Sequence, residues 1–111
     1  MTVTRSAKKI VQVALGTEAT AVYTSPVNTV TQITEIWLAN TNTTTTRKVS
    51  LYAHGTASEN TIIPELQILA KGTKIITDAR IILAAAEVLA AKQDIGTDVI
   101  LTAYGVLEVT S

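Results

Sequence analysis

At 111 residues the chain has room for one domain built on one core. It contains no cysteine, which removes disulfide frameworks, thiolate zinc sites, iron–sulfur ligation and cysteine nucleophiles together. Nine basic residues balance nine acidic ones without long blocks of either sign, so there is no electrostatic footprint for a nucleic-acid backbone or an anionic membrane.

The predicted elements are strands. Forty-three of the 111 residues are Thr, Ile or Val, whose branching at Cβ suits a pleated, half-buried surface. Met1–Lys8 reads as an amino-terminal arm carrying Arg5 and Lys8, with Lys9 at its root. The start of the chain is too short and too polar in its apolar part to be a secretory leader, so the chain is expected to begin as it functions. Lys9–Leu15 and Ala19–Thr24 form two short strands joined near Gly16-Thr17. Ser25-Pro26-Val27-Asn28 is a turn. The next strand, Val30–Asn40, changes the phase of its alternation, and a bulge near Thr34-Glu35 would bring Ile33, Ile36 and Leu38 to one side.

The tract Thr41–Thr46 reads as an exposed hairpin loop, because small hydroxyl and amide side chains bond back to their own backbone. Arg47–His54 then alternates, with Val49, Leu51 and Ala53 facing inward and Lys48, Ser50, Tyr52 and His54 facing outward. Gly55–Asn60 is a loop, and Thr61–Thr77 holds apolar strand residues interrupted by Pro64 and by a turn at Lys71-Gly72. Arg80–Leu83 is a short strand. Ala84–Lys92 has the best helix propensity in the chain, yet nine residues are marginal as a helix among strands, so helix and strand both stay open there. After a turn at Gln93–Thr97, the last strand runs from Asp98 to Val109 with Gly105 as a bulge or kink. About eight short strands in one domain, residues 1–111, imply an all-β antiparallel sandwich, either jelly-roll-like or immunoglobulin-like.

The inventory for catalysis is thin, and the chain is expected not to be an enzyme and to need no cofactor. His54 is the single histidine, and no metal-ligand set clusters around it. Asp94 and Asp98 straddle Gly96 but lack a full calcium loop, and read as turn-forming residues. Asn42-Thr43-Thr44 fits the glycosylation pattern within a tract where chance matches are common. Trp37, Tyr23, Tyr52 and Tyr104 could stack on sugars, but lie on different strands and fit core or interface packing better.

More telling is an excess of apolar residues: 47% of the chain is hydrophobic and 16% charged, drier than an average domain. Ile62-Ile63, Ile75-Ile76, Ile81-Ile82 and Val99-Ile100-Leu101 place apolar side chains on both faces of their strands, whereas a sandwich consumes one. The longest apolar run, Ile81–Ala86, is far below the ~20 residues that cross hydrocarbon, so the surplus points to self-association.

Val22-Tyr23-Thr24-Ser25-Pro26, the strand Ile36-Trp37-Leu38-Ala39-Asn40 entering the Asn42–Thr46 tract, Lys48-Val49-Ser50-Leu51-Tyr52 and the closing Gly105-Val106-Leu107-Glu108 follow one another in a recognisable order. The order resembles a family of small β-sandwich modules among the virion proteins of tailed bacteriophages. Where that family has Gly-Asp, this chain has Ala86-Glu87. The resemblance implies a structural component on the particle exterior, made in the host cytoplasm: a capsid decoration (cement) protein, or a tail, baseplate or fibre module that attaches to host glycans. It further implies a homo-oligomer, in family style a trimer, bound to the major capsid protein or other virion proteins, with neither nucleic acid nor membrane as partner. Arg5, Lys8, Lys9, Trp37 and Tyr52 are the expected contact residues.

Overall fold

A computed structural model describes residues 2–111. The β-branched segments form eight strands: β1 (Val3–Ala14), β2 (Thr20–Thr24), β3 (Thr29–Asn40), β4 (Arg47–Ala53), β5 (Thr61–Ile68), β6 (Thr73–Leu83), β7 (Val88–Gln93) and β8 (Val99–Thr110). A short 3-10 turn, Ser58–Asn60, precedes β5. Two antiparallel sheets result, with strand orders β1-β8-β3-β6 and β2-β7-β4-β5. This is an all-β sandwich, and its order is that of a jelly roll.

The order has a simple origin. β1 pairs with β8, β2 with β7, β3 with β6 and β4 with β5, all antiparallel. Val3 faces Thr110, Thr20 faces Ala91, Thr31 faces Leu83 and Arg47 faces Ile68, so partners always lie about equally far along the chain from the Gly55–Asn60 loop. The chain is thus one long antiparallel ribbon, folded at that loop and then rolled. Further pairings of β3 with β8 and of β4 with β7 close the roll.

Between the sheets lie Leu15, Ile33, Ile36, Leu38, Val49, Leu51, Ile68, Leu83, Leu89, Val99 and Leu101, with Ala91 and Ala103 where the backbones come close. The expected bulge in β3 is present, as a register shift between Ile33 and Glu35, and it does bring Ile33, Ile36 and Leu38 into the core. It belongs to a line of irregularities that crosses the whole sheet. β1 slips between Lys9 and Val11, β3 at Thr34, and β6 carries a left-handed Asp78 (φ 54°) opposite the same place. β8 passes through this line at Tyr104-Gly105, and a Cβ on Gly105 would overlap the carbonyl oxygen of Gln32. Only glycine lets the two backbones approach this closely.

Three expectations need correction, and one choice left open is decided. Residues 3–8 are not a free arm: they form the first half of β1, because the backbone of β8 offers a full ladder partner as far as Thr110. Met1 lies outside the described residues. The Ala84–Lys92 stretch contains no helix. Ala84–Glu87 is a turn, closed by Glu87 N–H donating to the Ala84 carbonyl at 3.0 Å, and β7 follows. Leu89, Ala90 and Ala91 are buried between β2 and β4, and that burial outweighs the helix preference of alanine. The Thr41–Thr46 tract is not a hairpin loop, since it carries the chain from one sheet to the other. Tyr52 is not on a wet face either. β4 is an interior strand, and β5 carries an extra residue opposite Val49/Leu51 and again opposite Leu51/Tyr52; beside this bulged neighbour Tyr52 is only 7% exposed.

Two substitutions test this account through thermal unfolding. Gly105→Ala is expected to cost about 3 kcal/mol, as backbone overpacking does; a loss below about 1 kcal/mol would contradict the close approach. Ala86 sits at φ 71°, a conformation that favours glycine, at the third position of its turn. Ala86→Gly should therefore stabilise the protein by about 1 kcal/mol, where the same change in an ordinary strand would destabilise it.

Candidate functional site

Hydrogen bonds that order the loops occupy Asn42, Arg47, Asp94 and Asp98 at one end of the sandwich. Asp98 Oδ2 accepts from Asn42 Nδ2 at 2.8 Å and from Arg47 Nε at 2.9 Å, while a second Arg47 nitrogen lies 2.8 Å away. The Asn42 amide and the Arg47 guanidinium together hold the Asp98 carboxyl below the ordinary aspartate range. Asn42 Oδ1 accepts from the Thr44 and Thr45 N–H groups, which makes the Asn42-Thr43-Thr44 triplet a turn locked to Asp98. Asp94 Oδ1 accepts the Lys48 N–H at 3.1 Å. Both aspartates flanking Gly96 are thus spent on tying loops together, and the described residues contain no group of three acidic or histidine side chains placed to hold a metal.

At the other end His54 Nδ1 lies 3.1 Å from Glu87 Oε2, and Glu87 Oε1 accepts the Ala84 N–H at 2.7 Å. The Ala84 bond, helped by His54 against partial desolvation, lowers the Glu87 pKa. The pair stands on an open surface, for the described residues enclose no pocket. Deep in the sandwich, Gln93 donates to the Leu15 carbonyl and accepts from the Val99 N–H. Tyr23 and Ser25 share the Thr31 hydroxyl at 3.0 and 2.9 Å, so Tyr23 is a structural residue.

What the fold leaves outside is the outer face of the β1-β8-β3-β6 sheet. Trp37 stands opposite Ile75 of β6 on one side and Thr102 of β8 on the other. Tyr104 is diagonal to it, with ring centroids 6.5 Å apart in an edge-to-face arrangement. Both rings are 40% exposed, Ile75 is 47% exposed and Ile82, farther along β6, 56%. Glu35 accepts from the Trp37 indole N–H, and Lys9 donates to Gln12, which donates in turn to Thr102. The face is therefore an apolar centre with a polar rim, the anatomy of an association surface. The surplus isoleucines divide as a two-sided strand requires: Ile76 and Ile81 pack on the core, while Ile75 and Ile82 face outward.

Of the five expected contact residues, four belong to this sheet. Arg5 and Lys9 point to the outer face, Arg5 within 3.7 Å of Glu108, and Lys8 lies between them on the opposite face of the strand. Trp37 is central, and Tyr52 is withdrawn into the other sheet. Tyr104 and Ile75 were expected only as an interface-type aromatic and as surplus apolar surface, without a place beside Trp37, and Glu35 was not expected there. The alternation of β8 puts Tyr104 outside, but its proximity to Trp37 depends on the pairing of two strands distant in sequence. No protein-family model matches the chain, and no curated protein matches it at a significant level. Among the described residues no helix is long and apolar enough to cross a membrane.

The lowered pKa values of Asp98 and Glu87 fix a pH dependence. Folding favours the ionised form of each group, so the stabilisation is complete above the unfolded-state values, about 3.9 for Asp and 4.3 for Glu, and is lost as pH falls through the lower folded-state values. The melting temperature should fall as pH drops below about 4, and Asp98→Asn should flatten that decline. An unchanged acid slope in Asp98→Asn would contradict the role given to Asp98.

Proposed function

We propose that the protein is a non-enzymatic structural component of a tailed-bacteriophage particle, a decoration subunit that self-associates and binds the outer capsid surface. The observation that carries the association is the exposed Trp37–Tyr104–Ile75 centre on an otherwise well-satisfied jelly roll. The assignment to a particle rests on the resemblance of the Val22–Pro26, Ile36–Asn40 and Gly105–Glu108 segments to virion modules. The jelly roll is in keeping with it, being a fold that recurs in viral capsids. Fold alone does not fix function, so the sheet face has to carry the argument.

The mechanism is linkage. A subunit that binds assembled lattice and not free capsid protein stabilises the lattice by mass action, in proportion to its occupancy. Oligomerisation, a trimer by family resemblance, multiplies the contacts that one decoration unit makes and raises its effective affinity without any new chemistry. Burial of the Trp37 patch on association would supply the energy, and the rim charges Lys9 and Glu35 the register.

A second reading is favoured by the same aromatic pair. Trp37 and Tyr104 also suit stacking on the apolar faces of sugars, which would fit a tail, baseplate or fibre module that attaches to host glycans.

Binding to purified heads separates the two. Trp37→Ala should lower head occupancy at least about tenfold, the cost of an aromatic hot spot, with the melting temperature nearly unchanged. Wild-type protein that ignores heads yet binds a glycan array through Trp37 would replace the decoration reading with the attachment one.

A further inference from the structure

The jelly roll leaves four strand edges, and three are closed to further pairing. β2 is five residues long and slips register within that length. β5 carries Pro64, which has no N–H to give, next to a left-handed Glu65 (φ 45°). β6 is broken by the left-handed Asp78. β1 differs. From Val3 to Lys9 it is seven residues of unbroken register with β8, and every one of them is exposed.

The hydrogen-bonding phase of that edge can be read directly. Thr2 and Ser111 exchange both backbone bonds, at 3.0 and 2.8 Å. Bonded and non-bonded pairs alternate along an antiparallel ladder, so Thr4, Ser6 and Lys8 spend their backbone groups on β8. Val3, Arg5, Ala7 and Lys9 therefore direct their N–H and C=O groups away from β8, along the free edge. Their spacing is that of a template for one more antiparallel or parallel strand.

Charge selects the occupant. β1 holds Arg5, Lys8 and Lys9 and no acidic residue. Arg5 lies 3.7 Å from Glu108, whereas Lys8 and Lys9 have no acidic partner among the described residues. A second copy pairing through its own β1 would set three cations against three cations, which opposes self-pairing at this edge. We infer that β1 is a docking edge for an extended acidic segment of a partner protein, added as a ninth strand beside Val3–Lys9. The segment's backbone supplies the ladder, and its carboxylates meet Arg5 and Lys9 on one face and Lys8 on the other. This inference is independent of the identity of the larger assembly, and it shares Lys9 with the rim of the Trp37 face.

The test uses the full-length protein and a fluorescein-labelled, end-capped eight-residue Thr/Glu peptide, Thr-Thr-Glu-Glu repeated, which places carboxylates on both faces of an extended strand, with its Thr/Lys counterpart as control. The Thr/Glu peptide should bind at least about tenfold more tightly than the Thr/Lys one. Lys8→Glu with Lys9→Glu should invert that preference. Ala7→Pro deletes an outward N–H while leaving the β8 ladder intact, and should weaken binding about tenfold at an unchanged melting temperature. In the wild type the amide resonances of Arg5, Ala7 and Lys9 should move on binding more than those of Thr4, Ser6 and Lys8, a readout that needs no variant. Three results would each overturn the inference: no binding of the Thr/Glu peptide, binding indifferent to Ala7→Pro at unchanged stability, or heparin moving the same amides as strongly. The last two would mark charge attraction without strand addition.

Discussion

The constraint on which everything else depends is the pairing of the two halves of the chain about the Gly55–Asn60 loop. Once Arg47 faces Ile68 at one end of the ribbon and Val3 faces Thr110 at the other, the strand orders of both sheets follow. The sheets are unequal as a result. β1, β3 and β8 have twelve residues each, whereas the strands of the facing sheet have five to eight. The longer sheet outruns its cover, which explains the 52 Å long axis and the exposure of Val3–Lys9 on both faces. The line of bulges through Ile10, Gly105, Thr34 and Asp78 changes which residues face inward, and in β1 it also marks the change from exposed to half-buried residues.

This division of labour accounts for where the polar chemistry went. Buried Asn40, Gln93, Ser25 and Thr31 bond to loop backbones or to each other, and no buried side-chain polar atom among the described residues lacks a partner. Arg47, Asp98 and Asn42 form one more such clasp at the loop end. Asn42, Arg47, Asp94 and Asp98 are thereby used as fasteners. Outward backbone groups along the β1 edge and the Trp37 patch on the outer sheet face are left over, and both are suited to contact with another protein.

Much of this was legible in the sequence wherever the signal is local. The phase change around Thr34-Glu35 identified the β3 bulge, the β-branched composition identified the fold class, and the doubled isoleucines identified an outer apolar face. Failures came wherever non-local pairing decided the outcome. The basic stretch at the start of the chain has no apolar period, and becomes a strand because β8 is there to pair with it. Alanine-rich β7 was drawn out of helix by burial between β2 and β4. The threonine tract announces a turn but not that the turn changes sheets. Tyr52 alternates outward in the sequence, but it is buried in an interior strand beside the bulged β5. The meeting of Trp37 with Tyr104 needs the register between β3 and β8, which no local pattern supplies. Ala86 adopts a left-handed conformation (φ 71°) that a run of three alanines does not announce.

The account rests most heavily on an ordered, half-paired β1, and backbone amide exchange of the free protein measures that state directly. Thr4, Ser6 and Lys8 should be protected, and Arg5, Ala7 and Lys9 should exchange rapidly, residue by alternate residue. Uniformly fast exchange from Val3 to Lys9 would mean that the first half of β1 is a free arm after all, and uniform protection that its outer edge is already paired.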